Sequence, residues 1–291
     1  MRYESAFRPG YFSGKTVIVT GGGSGIGRCA AHELASLGAH VAIVGRSIDK
    51  LARVQAEIEA DGGRVGVHVC DIREEAEVRR TVEAVLAANG RIDGLVNNAG
   101  GQYRAELKTI STKGFEAVVR SNLTGGFIFM REVYTAWMEA HGGAIVNIIA
   151  DIWNGWPNFA HSAAARGGMH TLTECAACEW AESGVRVNTV APGAIMTSGL
   201  DTYEAKDDEY IRRVPSKVPM QRFGTESEVS AAITFLLSPA AAYITGSCVR
   251  VDGGAPNARE LWWPQKPHAP SVSFDGFHRA ETPNILGAST A

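Results

Sequence analysis

The sequence predicts an α/β protein: one doubly wound parallel sheet with helices on both faces. Three observations predict it. Short apolar runs recur along the 291 residues, they alternate with stretches of helical period, and a glycine-rich turn follows the first run. The runs are TVIV (16–19), VAIV (41–44), VGVHV (65–69), GLV (94–96), AIVNII (144–149), VRVNTV (185–190) and CVRV (248–251). Their near-continuous Val and Ile content suits strands covered on both faces. Between them, Leu51, Val54 and Ile58, then Val78, Val82, Val85 and Leu86, then Val229, Ile233, Leu236 and Leu237 mark apolar helix stripes. Strand, helix, strand, repeated, implies a parallel sheet. Ligands of such a sheet sit beyond the carboxyl ends of its strands, so the loops after each run are the ones to read.

Composition narrows the class. With 45% apolar and 20% charged residues, the chain can build an ordinary soluble core. A net charge of −3 gives no support for nucleic-acid binding or an anionic membrane surface. No apolar run approaches the ~18 residues of a membrane span, and the start MRYESAFRPG lacks the apolar core of a signal peptide. Five scattered cysteines (29, 70, 175, 178, 248) suit reduced thiols, hence a cytoplasmic protein. Cys175 and Cys178 form a C-x-x-C inside a helical pattern without a second ligand pair, so they read as packing and no metal is expected. Residues 1–254 read as one catalytic domain. Residues 255–291 hold five of the eleven prolines and read as an irregular tail. Trp262 and Trp263 argue that the tail packs on its own body or on a neighbouring subunit; a disordered tail is the alternative.

The stretch TGGGSGIG (20–27) follows the first strand and opens the first helix. Gly21, Gly25 and Gly27 permit a tight turn, close approach of backbone to a pyrophosphate, and close helix–strand packing. Gly23, Ser24 and Ile26 complete a loop whose helix N-terminus faces phosphate. The second strand ends VGRS, with neutral Gly45 where an acidic residue would hold a ribose 2′-hydroxyl. Arg46, followed by Ser47, can instead grip a 2′-phosphate. The cofactor reading is therefore NADP(H) rather than NAD; the alternative is that Arg46 is an ordinary loop arginine.

The spacing of TGGGSGIG, CDI (70–72), NNAG (97–100), SN (121–122), APG (191–193) and DGG (252–254) resembles the short-chain dehydrogenase/reductase family over about residues 14–254. That resemblance implies a seven-stranded Rossmann sheet and a homodimer or homotetramer. It also implies Asp71 and Ile72 beside the adenine, Asn98, Ala99 and Gly100 beneath the adenosine ribose, and Pro192, Gly193, Ile195 and Thr197 along the cofactor, the last two at its carboxamide end. Asn122 matches the family's active-site asparagine. The family's usual Ser, Tyr and Lys fall on Ala150, His161 and Ala165. No tyrosine lies between Tyr134 and Tyr203, and no lysine between Lys113 and Lys206. NNAGGQY (97–103), HGGAIVNII (141–149), HSAAARGG (161–168), VAPGAI (190–195) and FLLSPAAAYITG (235–246) resemble the peroxisomal trans-2-enoyl-CoA reductase and 2,4-dienoyl-CoA reductase branch. The chain departs from it in having His170 where a tyrosine can stand, and in ending GASTA, which argues against peroxisomal import.

A thioester-activated alkene needs hydride at its β-carbon and a proton at its α-carbon, but no strong base. The expected activity is NADPH-dependent reduction of an enoyl thioester in fatty acid metabolism. The rivals are a carbonyl or alcohol oxidoreductase that uses His161 in place of tyrosine, and a cofactor-binding protein without redox activity. Asn122 or a backbone amide is the candidate donor to the enolate oxygen. His161 either moves the proton or packs at a helix start. Asp151 follows a strand end and can pair with His161 or substrate. Gln102 and Tyr103 line the acyl site, with Tyr103 a reserve donor. Arg166, five residues past His161 and so about 140° around a helix, reads as structural, as does His170. Residues 197–219 read as a flap over the substrate.

Overall fold

All seven expected strands form. They are β1 (Thr16–Thr20), β2 (His40–Gly45), β3 (Arg64–Val69), β4 (Gly94–Asn97), β5 (Gly143–Ile148), β6 (Val185–Pro192) and β7 (Cys248–Val251). In this computed structural model, which describes residues 2–203, 207–258 and 266–287, they make one parallel sheet in the order β3-β2-β1-β4-β5-β6-β7. The resemblance implied this sheet. The order reverses between β1 and β4, and the loops diverging there open a crevice at their carboxyl ends.

The helices are α1 (Gly25–Ser36), α2 (Ile48–Ala60), α3 (Glu75–Asn89), α4 (Thr112–Val119), α5 (Gly125–Val133), α6 (Glu139–His141), α7 (Ala160–Glu179), α8 (Asp208–Arg213) and α9 (Glu226–Leu237). A π turn, Arg120–Thr124, joins α4 to α5, and another, Tyr134–Met138, joins α5 to α6. Side chains of β1 alternate across the sheet. Val17 and Val19 pack with Leu34 of α1, Leu51 and Val54 of α2, and Val229 and Ile233 of α9. Ile18 faces the other way, into a core with Val78 and Val82 of α3, Phe129 of α5 and Met169 of α7. The central strands therefore have no polar face, and that is why their sequences read as unbroken apolar runs.

The described part of the tail lies on the chain's own body. Arg222 Nε donates to the Ser271 carbonyl at 3.0 Å, and Thr225 Oγ1 donates to the Phe274 carbonyl at 2.7 Å. Phe277 is buried against Tyr3 and His32. Arg279 grips Asp61 with two bonds, and Glu281 pairs with Arg53. The backbone N–H of Ile285 reaches Asp201 at 3.1 Å. Trp262 and Trp263, the expected anchors of the tail, lie outside the described residues. Cys175 and Cys178 are exposed on α7 and unpaired. Among the described residues, no helix is long and apolar enough to cross a membrane.

Candidate active site

The cofactor loops are built first by steric necessity. Gly21 and Gly25 hold positive φ of 68° and 54°, a backbone state that glycine adopts without cost. A Cβ on Gly21 would stand 2.7 Å from Asn98 Nδ2, and one on Gly27 would overlap the Gly21 carbonyl. The loop is stitched to the turn after β4. Thr20 Oγ1 accepts the N–H groups of Asn98 and Ala99, both at 2.9 Å, and Asn98 Nδ2 donates back to the Thr20 carbonyl. Ser24 stands at the N-cap of α1 without a side-chain cap bond, and the first turn of the helix carries no acidic residue. That end is therefore open to an anion. Gly23, Ser24 and Gly25 line a groove with Arg28, Arg53, Ser198, Glu226 and Glu281.

The remaining cofactor candidates follow the carboxyl ends of the strands. Arg46 is exposed after β2, and Ser47 caps α2 through Lys50 N. Asp71 is gripped by Arg73, which holds its carboxyl at about 2; Arg46 adds a smaller pull in the same direction. Ile72 is buried, and a Cβ on Gly125 would stand 2.8 Å from it. Gly100 sits against Asn122 and Arg166. Gly193 N–H donates to the Val251 carbonyl, Asp151 N–H donates to the Pro192 carbonyl, Ile195 is buried, and Thr197 Oγ1 accepts Gly199 N–H. Glycine turn and open helix end fit a dinucleotide phosphate chain, while Arg28 and Arg53 beside them are paired with Glu57 and Glu281.

Catalytic candidates fare differently. The Asn122 amide is engaged by the protein's own main chain. Its Nδ2 donates to the carbonyls of Gly101 (2.6 Å) and Val118 (2.9 Å), and its Oδ1 accepts Gly101 N–H (3.2 Å). It shapes the turn after β4, because the π turn around it swings the amide onto main-chain groups. His161 is fully buried, and its Nδ1 accepts the N–H of Ser162 at 2.9 Å. The ring proton therefore belongs on Nε2, which has no partner, and the edge of the Tyr103 ring packs against the imidazole at 4.4 Å. The Tyr103 hydroxyl lies against Gly114 at the start of α4. Asp151 does not pair with His161. Burial and the neighbouring Asp252 raise its pKa, with Arg250 opposing.

Ala165 is fully buried. Arg166 crosses to the strand ends, where Nη1 donates to the Ile148 carbonyl of β5 and Nη2 lies beside Gly100. Its Nε is sealed without a partner, and burial lowers its pKa to about 10. The expected direction, away from His161, holds; what lies there is the crevice. Four residues earlier, on the same face, Ser162 donates to Gln102 Oε1 at 2.6 Å. Ser162 and Arg166, one residue on from His161 and Ala165, are thus the side chains of this face that bond across to Gln102 and to the end of β5. Gln102 in turn donates to the Tyr203 hydroxyl at 3.3 Å. The sequence reading missed Tyr203 and Ser162. The signal for Ser162 was its four-residue spacing from Arg166 on one helix.

Comparison with known proteins places this geometry among relatives. Residues 21–256 match a family model described as enoyl-(acyl carrier protein) reductase. A citronellol catabolism dehydrogenase of Pseudomonas aeruginosa PAO1 superposes with a TM-score of 0.78 at 54% identity, over 87% of this chain and 100% of that one. Glucose 1-dehydrogenase of Gluconobacter oxydans is 38% identical over 246 residues, 84% of this chain and 92% of its own length. The (3E)-enoyl-CoA-producing peroxisomal 2,4-dienoyl-CoA reductase of Danio rerio is 33% identical over 258 residues, 87% and 85%.

Proposed function

Because this chain belongs to the short-chain dehydrogenase/reductase family, an oxidoreductase family built on an NAD(P)-binding Rossmann fold, we propose that it reduces the carbon–carbon double bond of an enoyl thioester with NADPH. One observation carries this reading: the helix face that addresses the strand ends presents Ser162 and Arg166, with no phenol–ammonium pair. Oxidising an alcohol requires a group that takes the hydroxyl proton. Neither a serine hydroxyl nor a guanidinium does so near neutral pH. Reducing a conjugated thioester requires only that the enolate charge be held and the α-carbon protonated.

When bound, the reduced nicotinamide supplies hydride. The chain supplies the rest. The glycine loop and α1 receive the phosphates, and Arg46 selects the 2′-phosphate. Arg166 places a permanent, sparsely compensated positive charge beside the strand ends, where it favours an enolate oxygen. Nε2 of His161 holds an unpartnered proton behind Tyr103. Similarity to an enzyme named 2,4-dienoyl-CoA reductase supports the thioester class. The same reading includes a cytoplasmic homodimer or homotetramer, supported by an open apolar groove of Leu123 in the Arg120–Thr124 π turn, Phe127 of α5 and Leu172 of α7.

A second reading, alcohol or carbonyl oxidoreduction, is favoured by the 54% identical relative named a dehydrogenase. NADPH consumption with matched trans-2-enoyl and 3-ketoacyl thioesters, beside NADP-linked oxidation of primary alcohols, separates the two. Enoyl reduction with negligible ketone or alcohol turnover is expected; faster ketone or alcohol turnover refutes the proposal.

A further inference from the structure

Three segments far apart in sequence, each following the carboxyl end of a strand, meet through their side chains. The loop after β4 brings Gln102 and Arg104, the start of α7 brings Phe159 and Ser162, and the loop after β6 brings Tyr203 and Asp207. Ser162 Oγ donates to Gln102 Oε1 at 2.6 Å, which fixes the amide orientation. Gln102 Nε2 must then donate to Tyr203 Oη, and does so at 3.3 Å. The phenol oxygen is therefore an acceptor in this chain of bonds, and its own proton is left for another partner. The ring is set edge-on to Phe159 at 6.1 Å and 85°. A second tie holds the loop nearby: Arg104 Nη1 donates to the buried carboxylate of Asp207 at 2.6 Å, and the guanidinium lies over the Tyr210 ring. Unlike His161, Tyr203 keeps partial exposure.

We infer that Tyr203 is the catalytic proton donor, delivering the Oη proton to the α-carbon of the enolate, with Gln102 and Ser162 as positioning residues. This rests on the enoyl-thioester reading. Once the β-carbon has taken hydride from the reduced nicotinamide, the alkene electron pair resides on the α-carbon and thioester oxygen. The α-carbon–hydrogen bond forms as the Tyr203 O–H bond breaks, the C=O double bond is restored, and the phenolate takes a proton back from water. One NADPH and one proton are consumed. Burial raises the pKa of this phenol above its ordinary value, with Asp207 and Tyr210 adding to the shift and the Gln102 bond opposing it. It therefore stays protonated across the neutral range: its proton is present for the far more basic enolate carbon, and no phenolate is present to take one from an alcohol. That is the asymmetry alkene reduction wants and alcohol oxidation does not.

The test is Tyr203→Phe and Gln102→Leu in the full chain, with three readouts. Thioester-dependent kcat should fall ~100–1,000-fold in Tyr203→Phe and less in Gln102→Leu. The Kd for NADPH, from nicotinamide fluorescence, should stay within about twofold of wild type, since neither side chain lines the phosphate groove. In D2O, wild-type enzyme should place deuterium on one face of the α-carbon, whereas Tyr203→Phe should give both faces; a merely structural role would not produce that change. Tyr203→Phe with wild-type kcat, or with single-faced deuteration, would overturn the assignment. Failure of the underlying reading shows separately and earlier, as wild-type enzyme that reduces no enoyl thioester, and it would overturn both.

Discussion

Arg166→Met separates a side chain retained for charge from one retained for structure. Burial holds this guanidinium at about 10 instead of 12.5, so keeping it charged costs up to ~3 kcal/mol. The side chain is only partly enclosed, and screening from the crevice brings that nearer ~1–2 kcal/mol. Methionine has similar reach and no charge, but it deprives the Ile148 carbonyl of its donor, which costs ~1 kcal/mol. The variant should match wild-type stability or exceed it by up to ~1 kcal/mol in urea unfolding at pH 7. The sign follows from linkage. A cation with a lowered folded-state pKa destabilises the fold at every pH below that value, and the penalty fades as pH rises from about 10 towards 12.5. The advantage of methionine should therefore be flat below pH 9 and shrink above 10. Reductase activity should drop at least ~100-fold, because the loss falls on charge stabilisation in the transition state. A stability loss above ~3 kcal/mol would refute this reasoning. It would show that Arg166 is a brace between β5 and the turn after β4.

Three further outcomes are expected. Arg46→Ala should weaken NADPH ~10–100-fold while leaving NADH almost untouched, measured by fluorescence titration; equal losses would remove Arg46 from the 2′-phosphate. Glu226 is raised to about 7 by burial, with Arg28 opposing and Glu281 adding. Its penalty is absent below its ordinary value of 4.5 and complete above about 7, so Glu226→Gln should gain ~2 kcal/mol at pH 8 and nothing at pH 4.5. A pH-independent difference in urea midpoint would contradict that. Phe277, a tail residue packed on the body, is 2% exposed, and Phe277→Ala should cost ~3–5 kcal/mol; a loss under ~1 kcal/mol would show that the tail is not integral to the body.

Legibility in the sequence tracked how local each cause was. Val17, Ile18 and Val19 read as strand because the sheet buries both faces, and that leaves a continuous apolar run. The loop at 20–27 was readable because Gly21, Gly25 and Gly27 answer a backbone constraint a few residues long. The catalytic face was harder. On α7 each residue turns the side chain by about 100°, so an offset of one residue exchanges His161 and Ala165 for Ser162 and Arg166. Asn122 was found by its motif. Its motif did not reveal that the amide is spent on Gly101 and Val118, because the π turn at 120–124 leaves no pattern in side-chain type.

By itself, then, the sequence determined the parallel sheet, the glycine turn between β1 and α1, and the absence of a phenol and ammonium from α7. Each is a consequence of side-chain type at short range. The tertiary structure alone decided that Tyr203 meets Gln102 across 101 positions, that Gln102 meets Ser162 across 60, and that Arg166 rather than His161 turns to the crevice. Those meetings depend on strand order and loop path. Strand order brings β4, β5 and β6 side by side, and hydrogen-bond direction then sets which atom keeps a proton to give away.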